Sequence, residues 1–199
     1  NEDGTPRVPE VCIYFNGKLI RGNRSTKRNA DGFNAFESFN YPHLCDAGVN
    51  FNFHDHHILK PDFSRPMTPH TGLDPNVFVF SLFPGIQENI FKHIIEGPEL
   101  RGLIIRTYGS GNAPQLPWLL RLVKEATYRG ITVVNISQCV TGNVAMDRYD
   151  TGYQLKEAGV ISGRDCTIEA AVTKLMFLQA QFNDPHIIRS FMSRSIAGE

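Results

Sequence analysis

Two short apolar runs, Leu103-Ile104-Ile105 and Ile131 to Ile136, are separated by a stretch whose apolar residues recur at helical spacing from about Leu116 to Arg129. Apolar runs of this length without polar alternation fit strands buried on both faces, and a helix between two of them makes the strands parallel. The polar turn Arg106-Thr107-Tyr108-Gly109-Ser110-Gly111-Asn112 falls just past the first strand, and Ser137-Gln138-Cys139 just past the second. Open parallel sheets bind ligands outside the carboxyl ends of their strands, so these two segments form one candidate rim.

The pattern continues on both sides. Val77 to Leu82 is a near-continuous apolar strand with both faces covered, and Ile86, Ile90, Phe91, Ile94 and Ile95 repeat at helical spacing before Gly97-Pro98. Gly152 to Ala158 is a short helical pattern followed by Gly159 to Gly163. Thr167 caps a helix carrying Ala171, Leu175, Leu178 and Phe182, and Ile187 to Met192 marks a last one. Strand and helix in alternation predict an α/β fold, a parallel doubly wound sheet over 77–199. Segment 59–76 carries four prolines and little apolar periodicity, the composition of an interdomain linker.

Upstream, Val11 to Phe15 and Lys18 to Arg21 flank Asn16-Gly17, the favoured two-residue hairpin turn. Residues 22–28 are polar and basic; four cations in eight residues, Arg21 among them, make a solvated loop the expectation, with an anion-contacting or interface loop as the functional alternative. Residues 34–40 read as turn-like, Pro42 to Gly48 as a short helix, and Val49, Phe51 and Phe53 as the buried phase of a half-buried strand. His54-Asp55-His56-His57 could set two imidazoles on one strand face, but no cysteine lies nearby and the segment runs into prolines, so no metal site is expected. The opening residues 1–9 read as a loop, in a chain that begins partway through something.

With Lys+Arg 20 against Asp+Glu 20, the net charge is zero and no long run of one sign occurs, which argues against nucleic acid or an anionic membrane as partner. No apolar run approaches the roughly 20 residues a bilayer requires. The four scattered cysteines, Cys12, Cys45, Cys139 and Cys166, suit reduced, mostly buried thiols in a cytoplasmic protein better than a disulfide framework.

Gly109-Ser110-Gly111-Asn112 lacks the third glycine of a dinucleotide fingerprint, Pro114 follows it, and no acidic residue ends the next strand, so no cofactor is expected. The turn instead offers backbone N–H groups and an amide to a small polar ligand. Arg106 could clasp a carboxylate or form a structural ion pair, and with Cys139 it could hold a ligand the size of an amino acid. Glu169, on the opening turn of its helix, complements the helix dipole and could also project towards a neighbouring subunit.

The blocks Val8-Pro9-Glu10-Val11, Arg21-Gly22-Asn23-Arg24-Ser25-Thr26-Lys27, Asp31-Gly32-Phe33, Tyr108-Gly109-Ser110-Gly111-Asn112-Ala113-Pro114, Val133-Val134-Asn135, Gln138-Cys139 and Ala158 to Gly163 through Glu169-Ala170-Ala171 resemble the carboxy-terminal part of cytosolic, type I bacterial L-asparaginases. The resemblance implies that 1–58 is the tail of an amino-terminal catalytic domain, that 59–76 is the linker and that 77–199 is a carboxy-terminal α/β domain. It implies hydrolysis of L-asparagine to L-aspartate and ammonia through an acyl-threonine intermediate, without a cofactor. The family's two threonine motifs do not occur here, and Thr26, Thr107, Thr141 and Thr167 sit in neither, so the nucleophile is expected in an amino-terminal half outside this chain. By the same resemblance, Gly111, Asn112 and Glu169 would contribute to a neighbouring subunit's substrate site in an intimate homodimer, two of which commonly form a tetramer in the family. Arg106, Thr107, Tyr108 and Cys139 would form an allosteric asparagine site. Two other readings are a non-catalytic ligand-binding or assembly lobe and a glutaminase-type amidohydrolase; neutral charge disfavours a tRNA-linked substrate.

Overall fold

The computed structural model describes residues 4–64 and 66–199; part of the expected opening loop and Arg65 of the proline-rich segment lie outside them. The chain divides into two compact units, one comprising residues up to Thr71 together with Ala197–Glu199, the other Gly72–Ile196.

In the first unit, β1 (Cys12–Phe15) and β2 (Lys18–Arg21) form the expected hairpin. Asn16 and Gly17 both take positive φ, 48° and 73°, as a turn matched to the strand twist requires. β3 (Thr26–Lys27) and β4 (Phe36–Glu37) make a small separate ladder, so 34–40 is not simply a turn. Residues 42–48 do not form the expected helix: Cys45–Ala47 is a strand, β5, paired with β2 on one side and with β6 (Phe51–Phe53) on the other, in the antiparallel order β1-β2-β5-β6. The reason is tertiary. Leu44 N–H donates to the Leu19 carbonyl at 2.7 Å, and Leu44 and Cys45 are buried, so pairing with β2 outweighs local helical preference. β6 is an edge strand whose Phe51 stays 70% exposed, contrary to the expected buried phase of 49, 51 and 53.

The basic stretch after β2 is also not a solvated loop. Gly22–Arg24 is a single 3-10 turn, and the Arg21 and Glu10 side chains are each only 3% exposed and paired. Arg21 further donates to the carbonyls of His57 (2.8 Å) and Gly198 (3.0 Å) and lies over the Tyr41 ring at 4.4 Å. Asn23 and Arg24 donate to the carbonyls of Ala197 and Gly198, at 2.9 Å each. These cations hold backbone carbonyls and a carboxylate inside the unit. Burial pushes the Glu10 carboxyl up, but the guanidinium and the Leu59 N–H outweigh it and hold the group below its ordinary range.

In the second unit, β7 (Val77–Ser81), β8 (Gly102–Thr107), β9 (Thr132–Ser137) and β10 (Ile161–Ser162) form one parallel sheet in the order β10-β9-β8-β7. Five helices accompany it: α1 (Glu88–Ile95), α2 (Pro117–Tyr128), α3 (Asp150–Glu157), α4 (Ile168–Gln181) and α5 (Pro185–Met192). Alternation along β8 and β9 sends Leu103, Ile105 and Val133 into a core with α1, α2 and α3, and Ile104, Val134 and Ile136 into a second core with α4 and α5. The expected α/β fold with a two-sided parallel sheet is therefore present. β7 differs from expectation: it is an edge strand, and Phe78 and Val79 remain 42% and 37% exposed rather than covered on both faces. Thr167 caps α4, its hydroxyl accepting from the Ala170 N–H at 3.2 Å.

Candidate functional site

The carboxyl ends of β8 and β9 are built around one buried amide. Asn135, sealed within β9, accepts from the Thr107 hydroxyl at 2.6 Å and donates to the Gly111 carbonyl at 3.2 Å, so a strand interior fixes the turn that follows its neighbour. The turn closes on itself: Tyr108 and Asn112 exchange N–H···O bonds of 2.9 Å in both directions. Gly111 sits at φ +112°, and a Cβ there would meet Val144 Cγ1 at 2.9 Å; both conformation and space demand glycine. The Ser137 hydroxyl donates to the Gly109 carbonyl (2.6 Å) and accepts from the Cys139 N–H (2.9 Å). Gln138 ties the ends of three of the four strands, β7, β8 and β9, its amide donating to the carbonyls of Leu82 (2.7 Å) and Arg106 (2.9 Å) while its N–H donates to the Thr107 carbonyl.

This framework places the candidate residues unequally. Arg106, Tyr108 and Cys139 lie on the rim; Cys139 is exposed. Arg106 Nε is buried with no hydrogen-bond partner among the described residues, a donor that a ligand's oxygen would satisfy. No structural ion pair for Arg106 exists among the described residues. Thr107 requires a correction: it is fully buried, its hydroxyl is taken by Asn135, and it points to the opposite sheet face from Arg106, so it supports the rim rather than lining it. Gly111 and Asn112 form the far side of the turn. Glu169 is exposed on the first turn of α4, which opens after β10 at the same end of the sheet.

Asn135 is the position that the sequence left without a role; Gln138 was expected on the rim, and the structure adds that it ties the strand ends together. The signal was present at Asn135, an amide inside an otherwise apolar strand, where a buried polar group must find partners. The thiols also differ from expectation: of the four, only Cys45 is fully buried, and Cys12 and Cys166 are half-buried. A cavity of about 650 Å³ lies beside β10, with Val144, Asp147, Lys156, Arg164 and Arg189 among its walls; it contains none of the candidate residues. No helix among the described residues is long and apolar enough to cross a membrane.

Comparison with known proteins places this geometry in a family. The model for the glutaminase/asparaginase C-terminal domain matches residues 76–192, and that for the N-terminal asparaginase domain matches residues 2–59. The chain is 42% identical to L-asparaginase 1 of Escherichia coli (strain K12) over 96% of its own length and 56% of that protein's. It is 38% identical to the human 60 kDa lysophospholipase over 87% of its length and 30% of that protein's. The crystal structure of L-asparaginase I from Vibrio cholerae superposes with a TM-score of 0.86 at 39% identity, covering 96% of this chain and 57% of that one. The chain thus spans little more than half the length of these asparaginases. It belongs to the glutaminase/asparaginase family.

Proposed function

We propose that this chain is part of a cytoplasmic L-asparaginase that hydrolyses L-asparagine to L-aspartate and ammonia through an acyl-threonine intermediate, with the nucleophile on a segment outside these 199 residues. The observation that carries the reading is the 42% identity to E. coli L-asparaginase 1, which runs along 96% of the chain and so across both units. Residues 1–58 act as the tail of the amino-terminal catalytic domain, 59–76 as the linker and 77–199 as the carboxy-terminal domain. The turn at Gly111-Asn112 and the carboxylate of Glu169 reach a neighbouring subunit's substrate in a homodimer or tetramer; the locked geometry of the turn supports that use, because a preorganised amide costs little to bind.

The experiment is ammonia release from L-asparagine, with L-glutamine in parallel. The chain alone is expected to be inactive, and co-production with an upstream segment carrying the two threonine motifs to restore turnover; turnover by the chain alone overturns the reading. In the restored enzyme, Asn112→Ala and Glu169→Gln each lower kcat/KM by an amount equivalent to about 1.5–3 kcal/mol, the scale of a hydrogen bond to a charged group. Arg106, Tyr108 and Cys139 form an asparagine-responsive site on the rim, supported by the unpartnered Arg106 Nε. L-asparagine should then protect Cys139 from alkylation, and Arg106→Ala should abolish the protection.

A further inference from the structure

Within the first unit, three side chains with metal-ligating atoms meet. His43 Nε2 lies 2.9 Å from one oxygen of Asp46, and His54 Nε2 lies 2.8 Å from the other. The two imidazoles stand nearly perpendicular with centroids 5.1 Å apart, and one donor atom from each of the three residues falls within 4.8 Å of the others. We propose that His43, Asp46 and His54 form a binding site for a divalent transition-metal ion, of the zinc or cobalt type.

The backbone builds this cluster. Leu44 and Cys45 are anchored in the core, so His43 and Asp46 are held on either side of a buried pair. Cys45 pairs with Phe53, Asp46 with Asn52, and the His54 N–H donates to the Leu44 carbonyl at 2.9 Å. His54 is therefore two residues beyond the partner of Asp46, on the same face of the antiparallel pair, where diagonal neighbours reach each other. Both histidines aim Nε2 at the carboxylate, so that nitrogen faces the site without a ring flip. On metal binding the Nε2 proton leaves to solvent from an imidazolium, or is lost as Nδ1 takes one up in a neutral ring, and the proton kept is on Nδ1. The Asp46 carboxylate, half-exposed and an ordinary carboxylic acid, is anionic at neutral pH and supplies the negative charge of the set.

Two imidazole nitrogens and one carboxylate oxygen are a borderline donor set. It suits Zn²⁺, Co²⁺, Ni²⁺ or Cu²⁺, whereas Mg²⁺ and Ca²⁺ prefer oxygen alone. The three side chains are 32%, 46% and 33% exposed, so an ion can enter from solution and water can complete its coordination. The local sequence points elsewhere. In His54-Asp55-His56-His57 the natural pair would be His54 with His56 on one strand face, but β6 ends at Phe53 and the run continues as a turn with His56 exposed. The expectation of no metal site considered only that cluster, which has no cysteine nearby and runs into prolines; the further ligands come from His43 and Asp46, eleven and eight residues before His54.

The full chain, stripped with chelator, is titrated with CoCl₂ while its visible d–d absorption is followed, and the bound cobalt is then displaced with ZnCl₂. One equivalent is expected to bind. His43→Gln, His54→Gln and the near-isosteric Asp46→Asn should each weaken binding by at least roughly 10-fold, the lower bound for groups that merely support a ligand; His56→Gln should leave it unchanged. The absence of stoichiometric binding, its survival in both His43→Gln and His54→Gln, or its equal loss in His56→Gln overturns the proposal. On the unsubstituted chain, ¹⁵N spectra of the seven imidazoles with Zn²⁺ provide a readout independent of any variant's folding. Large shifts are expected at His43 and His54 Nε2, and shifts confined to the other histidines refute the site.

Discussion

In the unit Gly72–Ile196, Phe91, Ile95, Leu103, Ile104, Ile105 and Leu175 are sealed on the two faces of one parallel sheet, whereas in the other unit the buried apolar residues are Ile20, Leu44 and Cys45 alone among those described. That second set is matched by three buried polar residues, Arg21, Ser25 and Glu199. One unit is organised by apolar area, the other by charge and backbone carbonyls. Each Å² of apolar surface that the helices remove from water on the two faces of this sheet contributes roughly 25 cal/mol. Among the described residues the four-stranded antiparallel sheet buries less, and there the Glu10–Arg21 pair with its carbonyl acceptors ties together segments distant in sequence.

Substitutions can break this comparison. The largest loss is expected from Arg21→Ala, which leaves the Glu10 carboxylate without its cation and takes one of two donors from each of the His57 and Gly198 carbonyls; about 3–5 kcal/mol is the usual scale for breaking a buried pair. Urea unfolding followed by hydrogen exchange at β1 and β2 measures it, and a loss below about 1 kcal/mol would show that packing carries this unit too. Leu175→Ala, in the core between α4 and the sheet, should cost about 2–5 kcal/mol through the cavity it leaves. The single tryptophan, Trp118 on α2, reports this transition by fluorescence. Asn135→Leu should cost about 1–3 kcal/mol for each polar group left unpaired, and hydrogen exchange should show the Tyr108–Asn112 turn opening.

The smallest effect expected is a pH dependence peculiar to the polar unit. The proton affinity of Glu10 is reduced in the fold, so as pH falls the unfolded chain takes up its proton first, near the ordinary value of about 4.3. The stabilisation is complete above that value and is lost as pH drops through the lower, folded one. The protection factor of the Leu59 amide, whose N–H donates to Glu10, follows this loss once the intrinsic pH dependence of exchange is divided out; Glu10→Gln should remove the step in that factor.

The same contrast explains what was legible in the chain. The strands from Val77 to Ile136, the helix from Pro117, the cap at Thr167 and the hairpin at Asn16-Gly17 follow from periodicity and turn chemistry, because each is fixed by neighbours close in sequence. β5 was hidden because Cys45 and Leu44 answer to Leu19, more than twenty residues upstream. Arg21 was misread because its partners, Glu10, the His57 carbonyl and the Gly198 carbonyl, are scattered along the whole chain. At the rim, the polar turn was visible while its lock was not: Thr107 and Asn135 lie on separate strands, and only the register of β8 with β9 joins them.

By itself the sequence determined that the chain is an α/β protein with a parallel sheet, and where the polar rim of that sheet falls, because apolar alternation and turn residues act locally. Only the tertiary structure decided which of the rim's side chains face outward, that Arg21 is a buried tie, and that His43 and Asp46, rather than His56, stand beside His54. Those outcomes depend on strand pairing and register between distant segments, which no local spacing encodes.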